Sequence, residues 1–173
     1  AEKHFPGSKT NWLDYCRRSA DWMVSRQHAD GSWDKAFDNG GTSIDSGKLL
    51  TSNLIRFLTY MYKVTKEECY KTAAVKAGEF CYREIHEPYK YVGSVIDNPY
   101  VKDRESGQKI IEAFLCLYDL TKDKKWLEGA SQAAYYTVTY MYAWNIPAAG
   151  GNNLMAWDSK KTTVGITIIS TGH

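Results

Sequence analysis

Leu50, Leu54, Phe57, Leu58 and Met61 recur at intervals of three and four along the chain, the spacing that gathers apolar side chains on one face of a helix. Ile111, Phe114, Leu115 and Tyr118 repeat the pattern further on. Read across the whole sequence, the periodicity predicts helices over about 9–27, 48–64, 66–84, 105–120 and 123–143, with a sixth beginning after 162. The predicted fold class is all-α.

The helices carry a repeat. "MYKVTKEECYKTAAVKAGEF" (61–80) aligns with "LYDLTKDKKWLEGASQAAYY" (117–136), so that Tyr62 matches Tyr118, Thr65 matches Thr121, Tyr70 matches Trp126, Ala74 matches Ala130 and Ala77 matches Ala133. Trp12, Cys16 and Ala20 stand where Tyr70, Ala74 and Gly78 stand in the next copy, giving a period of 56 to 58 residues. Each unit reads as an antiparallel helical hairpin. In "VTKEE" and "LTKDK" the Thr is placed to cap the following helix, and small residues one turn apart on the second helix allow a neighbour to approach closely. The short turns fall near 65 and 121, and the long connections cover 28–47, 85–104 and 144–162. Because consecutive helices alternate in direction, all three long connections emerge at the same end. Loops of that length in compact domains usually carry function.

Composition narrows the partners. In 173 residues, 22 Lys and Arg face 20 Asp and Glu, interspersed, for a net charge of +2. There is no basic stripe of the kind a phosphate backbone requires, so nucleic acid is not an expected partner. No apolar run reaches the roughly 20 residues that span a bilayer, so no membrane insertion is expected. Cys16, Cys69, Cys81 and Cys116 lie in helical patterns without metal or redox spacing and read as free structural thiols. The four histidines, His4, His28, His86 and His173, form no metal constellation, and neither metal nor cofactor is expected. With 13 Tyr, 6 Trp and 5 Phe there is more ring surface than the core needs, and part of it is expected to line a groove.

The paired helices, "LYDLTKDKKWLEGA", and "SRQHADGSWD" closing the first helix together resemble the (α/α)6 toroids of the six-hairpin glycosidase superfamily and related polysaccharide lyases. The resemblance implies inner helices beginning near 48 and 105, and a substrate face built by the long loops. It implies a glycoside hydrolase-like activity on an oligo- or polysaccharide; separately, the chain opens on Ala rather than Met, and a periplasmic or extracellular location is favoured over others. A closed toroid needs about twice this length, so residues 1–173 are read as one toroid domain that is part of a larger catalytic domain, completed by a missing half or by a second chain. "QHADGSW" also resembles the Gln-Trp motif of squalene-type terpene cyclases, in which Gln and Trp tie a helix end to the adjacent loop. Here that implies a helix terminator made by Gln27, Gly31 and Trp33. A non-catalytic helical-repeat module that binds a protein or peptide, a lyase and a terpene-cyclase-like toroid are the alternatives.

Glycoside hydrolysis needs two carboxyl groups across a sugar ring, one protonated and one ionised. The loop acids are Asp30, Asp34, Asp38, Asp45, Asp97, Asp103, Glu105 and Asp158. Asp97, in "VIDNPY", is the candidate whose apolar approach would raise its pKa, and Glu105 stands at the start of an inner helix. Asp97-Asn98-Pro99 is equally good turn chemistry, and in "DRES" Asp103 is placed to cap a helix whose dipole Glu105 favours. The substrate-binding candidates are Trp33, Asp34, Tyr89, Tyr91, Tyr100, Trp144 and Trp157, whose rings could stack on sugars or plug the loops. Trp12, Trp22, Trp126, Tyr62 and Tyr118 are expected to be core or helix-packing residues, and "SWDKAFDNGG" reads as a solvated flexible loop.

Overall fold

The computed structural model describes residues 11–93, 101–145 and 162–167. It is all-α apart from one small hairpin: α1 (Trp12–Ser25), β1 (Ala36–Phe37), β2 (Ser43–Asp45), α2 (Ser52–Thr65), α3 (Glu68–Cys81), α4 (Arg104–Thr121) and α5 (Lys124–Val138). α2 pairs with α3 and α4 with α5 as antiparallel hairpins, α2 lies along α4, and α1 rests on α2 and α3. The arrangement fits a partial toroid.

The two short turns are built alike. α2 and α4 end on left-handed residues, Lys66 at φ 63° and Lys122 at φ 61°, whose backbone N–H groups donate to Tyr62 O and Tyr118 O, 2.8 Å in each case. This is the left-handed helix stop that satisfies otherwise orphaned carbonyls. The expected capping role of Thr is corrected. Thr65 and Thr121 are the last helical residues, donating back to Met61 O and Leu117 O and accepting from the N–H of Glu67 and Asp123. Their hydroxyls reach the carbonyl one turn behind more readily than the helix ahead. It is Asp123 that caps α5, through Lys125 N at 3.0 Å.

The core collects the positions the repeat singles out. Tyr70, Ala74, Ala77, Trp126, Ala130 and Ala133 are buried with Ile55, Leu58, Ile110, Phe114 and Leu117. Gly78 allows α3 to close on the second hairpin, since a Cβ there would stand 2.2 Å from Leu117 Cδ1 and 2.9 Å from Trp126 Cη2. Tyr62 and Tyr118 pack on the core edge. Trp12 and Trp22 do not fill the core; both are exposed, because none of the described helices lies against the side of α1 that carries them.

At the loop end three expectations change. The segment after Trp33 is an antiparallel hairpin, with Ala36 opposite Asp45 and Phe37 opposite Ser43. Asp38 holds its turn by accepting from Thr42 N at 2.8 Å, and Gly41 supplies φ +80°. The third helix continues past Cys81 as a π-helical turn, Tyr82–His86. No helix starts over 162–167, where a turn leads Thr167 to bridge Met141.

α4 begins on Asp103, fully buried, whose carboxylate accepts from Ser106 N at 2.6 Å and from Ser106 Oγ at 3.1 Å. Asp103→Ala removes a cap and strands a buried N–H, and is expected to cost about 1–2 kcal/mol. Urea unfolding monitored by circular dichroism measures it.

Candidate functional site on the loop face

The end of α1 is fastened as the Gln-Trp resemblance implies. Gln27 Nε2 donates to Gly31 O at 3.0 Å and to Ala73 O at 2.9 Å, while Trp33 Nε1 donates to Met23 O at 2.7 Å. Gly31 sits at φ +94°, and a Cβ there would lie 2.2 Å from Lys76 O. The turn between them is closed by Asp30, which accepts from Ser32 N and Ser32 Oγ and pairs with Lys48 at 3.1 Å. Burial works to raise the Asp30 carboxyl, but the Ser32 and Lys48 bonds prevail and bring it from 3.8 to about 2. A depressed carboxyl stabilises fully above its unfolded pKa, and that stabilisation is lost as the pH falls through the folded value. A modest acid-side slope between 3.8 and about 2 is therefore expected in pH-dependent unfolding, and Asp30→Asn should flatten it.

This fastening turns the chain back so that His28 meets Asp34. His28 Nε2 lies 2.9 Å from Asp34 Oδ1. The Asp34 carboxyl is held below its ordinary value by the Ser43 hydroxyl and then by His28. Asp34 is thus an ionised acceptor, and His28 in its neutral form carries its proton on Nε2 and leaves Nδ1 as the basic nitrogen.

The pair lines a polar pocket of about 540 Å³ between the end of α1 and the β1–β2 hairpin, with Arg26, Phe37 and Thr42. Arg26 lies over the Trp22 ring, 5.8 Å from its centroid, and forms no ion pair among the described residues. Gly41 faces it closely enough that a Cβ would stand 2.9 Å from a guanidinium nitrogen. The pocket therefore brings together a cation, a base held by a carboxylate, and an aromatic ring.

Beside it, the π-helical turn presents a buried polar chain. His86 Nε2 meets Gln132 Oε1 at 3.0 Å and His86 Nδ1 meets the Tyr91 hydroxyl at 2.6 Å, so Tyr91 donates and Gln132 accepts when the ring is neutral. Burial lowers the His86 pKa against the opposing Gln132 bond. Tyr91 stacks on Tyr136 at 4.3 Å, and the Tyr136 hydroxyl donates to Asp103 O at 3.1 Å and lies 2.8 Å from that of Tyr140. π-Turns recur at functional sites, and here the extra residue brings His86 inward to tie the second loop to α4 and α5. Tyr89, exposed and at φ +53°, covers this chain, its ring 6.3 Å from His86 and 5.9 Å from Tyr91.

Of the substrate-binding candidates, Asp34 lines the pocket, and Tyr89 and Trp144 expose their rings. Trp33 and Tyr91 are corrected: both are buried and present no face to a sugar, because each plugs its own loop against the core. Glu105 lies in the first turn of α4, half-exposed, beside Arg104 at 4.0 Å. Asp97, Tyr100 and Trp157 lie outside the described residues. His28 and Arg26 were not among the sequence candidates; the signal for them is the Asp30-Gly31 turn, which brings residues 28 and 34 together. Among the described residues no group of three or more His, Cys, Asp or Glu side chains is disposed to hold a metal ion, and no helix is long and apolar enough to cross a membrane.

Fold and site together define an all-α protein of antiparallel helical hairpins whose loop face carries a polar pocket. The solved structure of a polysaccharide lyase shares this fold, with a TM-score of 0.63 over 77% of the chain at 16% identity. The chain spans 23% of that lyase's length. No family model and no curated sequence matches the chain.

Proposed function

We propose that the loop face binds an oligo- or polysaccharide and cleaves it, and that the pocket of Arg26, His28, Asp34 and Phe37 is where the sugar sits. The observation that carries the reading is the Asp34–His28 pair beside Arg26, which forms no ion pair among the described residues. Hydrolysis asks for two carboxyl groups in opposite protonation states, whereas Asp34 is the one carboxyl lining this pocket among the described residues, and it is held ionised. Elimination asks for one base and one cation. In that reading Arg26 neutralises the carboxylate of a uronate and His28 Nδ1 takes the proton from the adjacent carbon. The carbon–oxygen bond one carbon further breaks, a double bond forms between the two carbons, and the departing oxygen takes a proton from water. The resemblance to a polysaccharide lyase fold supports elimination over the hydrolase-like expectation.

A panel of neutral and uronate-containing oligosaccharides, followed for new reducing ends and for the ultraviolet absorbance of unsaturated uronates, tests it. Both signals together support elimination. Reducing ends alone return the chemistry to hydrolysis, with Glu105 and Asp97 as its candidates. Binding without turnover would make the face a recognition module.

A further inference from the structure

The cation of the candidate pocket is held from behind. Arg26 is the residue on which α1 ends, its N–H donating to Trp22 O at 3.2 Å and to Met23 O at 3.1 Å, so its side chain leaves the helix one turn beyond Trp22. The guanidinium carbon lies over the Trp22 indole, 5.8 Å from the ring centroid. Phe37 of β1 fixes the indole in turn, standing edge-on to it with centroids 5.1 Å apart and an interplanar angle of 83°. Gly41 closes the arrangement from the other strand end of the hairpin. A Cβ there would stand 2.9 Å from a guanidinium nitrogen and 3.6 Å from the indole Nε1, so cation and ring edge both lie against the hairpin backbone.

The pocket wall takes in Arg26, Phe37 and Gly41 but not Trp22. The indole therefore supports the cation without occupying the space in front of it. A guanidinium that rests on a ring keeps the N–H groups of its edge free for the two parallel bonds that a carboxylate accepts. It also loses less side-chain freedom when an anion arrives, because the ring has already restricted it.

We infer that Trp22 is a positioning residue for Arg26 and, through it, sets the preference of the pocket for an acidic sugar over its neutral counterpart. The positioning stands on the contacts of Trp22 alone, whereas the preference rests on the glycan reading above. Trp22→Leu tests the two parts separately. Trp22 is 39% exposed, so leucine removes no buried side chain, and a matching circular dichroism spectrum checks the fold. Trp22→Phe, which keeps a ring, is the conservative variant.

In the free protein, the nuclear magnetic resonance of the Arg26 Hε, assigned by its loss in Arg26→Lys, should be displaced upfield by the ring current of the indole. It should return to the position of an unconstrained arginine in Trp22→Leu and stay partly displaced in Trp22→Phe. A resonance that does not respond to Trp22→Leu overturns the positioning. Binding is then compared for an oligogalacturonate and its methyl ester. Trp22→Leu should weaken binding of the acid by about 2–5-fold, the range of an exposed cation–π contact, and leave the ester unchanged. In a protein that already carries Arg26→Ala it should have no further effect. Equal weakening of acid and ester, or an effect that persists with Arg26→Ala, makes Trp22 a sugar-stacking residue and overturns the inference. A wild type without a preference for the acid overturns the specificity role together with the uronate reading, while the free-protein resonance still decides the positioning.

Discussion

Trp126→Ala should be the most damaging single change in the core, with a loss of about 3–5 kcal/mol out of a total that for domains of this kind is about 5–15 kcal/mol. The indole is 1% exposed and joins both hairpins: its ring centroid lies 5.3 Å from that of Phe114 and 6.2 Å from that of Tyr82, and its edge fills the space that Gly78 leaves. Alanine would open a cavity that the small residues around it cannot collapse into. Trp126→Tyr should lose distinctly less, because the repeat already accepts a phenol at this position. Tyr70 gives its hydroxyl to Asp21, and Glu79 stands where Asp21 stands one unit earlier. Equilibrium unfolding in urea ranks the two variants, and equal losses would mean that the pocket does not treat the positions as equivalent.

Under the proposed elimination, His28→Ala should abolish most turnover, by about 10²–10⁴-fold in kcat, the range for removing a positioned general base. Glycan binding should survive, since Arg26 and Phe37 remain. Asp34→Asn should lower kcat to a comparable degree with KM nearly unchanged, because an amide that donates to Nε2 leaves the ring proton on Nδ1 and no longer stabilises the imidazolium that forms when Nδ1 takes a proton. Arg26→Ala should act on KM as well, through the lost cation. Initial rates and binding measured on the same uronate oligosaccharide separate these effects. A His28→Ala variant with unimpaired turnover would place the chemistry elsewhere on the loop face.

The helices and their pairing were legible because burial imposes its period on the sequence. Positions 70, 74 and 77 and their counterparts 126, 130 and 133 are small or aromatic for the same reason in both hairpins, and all are buried. What the periodicity leaves unread is local backbone chemistry. A π-turn at 82–86 differs from a helix by one residue of register and has no compositional mark. The β1–β2 hairpin did have one, since Asp38-Asn39-Gly40-Gly41 between Phe37 and Ser43 is strong turn chemistry, but its strands are too short to show alternation. In the loops, Trp33 and Tyr91 are rings like Tyr89, and only tertiary packing decides which ones are plugs. The candidate pocket was hidden for a related reason. Hydrolysis points to acids, whereas the side chain that gives Asp34 its setting is a histidine six residues earlier, across a turn closed by Asp30 and Gly31.

α2 and α4 lie side by side with their copies in step: Arg56 pairs with Glu112 and Lys63 with Asp119, each separated by 56 residues. Equivalent positions of neighbouring units thus touch one another directly. A perfect tandem duplication would set arginine against arginine and lysine against lysine on this seam, at a cost that grows with every added unit. The two hairpins carry opposite charges at these sites, so the seam has a modest, solvent-screened attraction where identical copies would repel. An array of identical copies would keep the buried contacts between α2 and α4 and lose this attraction along its exposed seam.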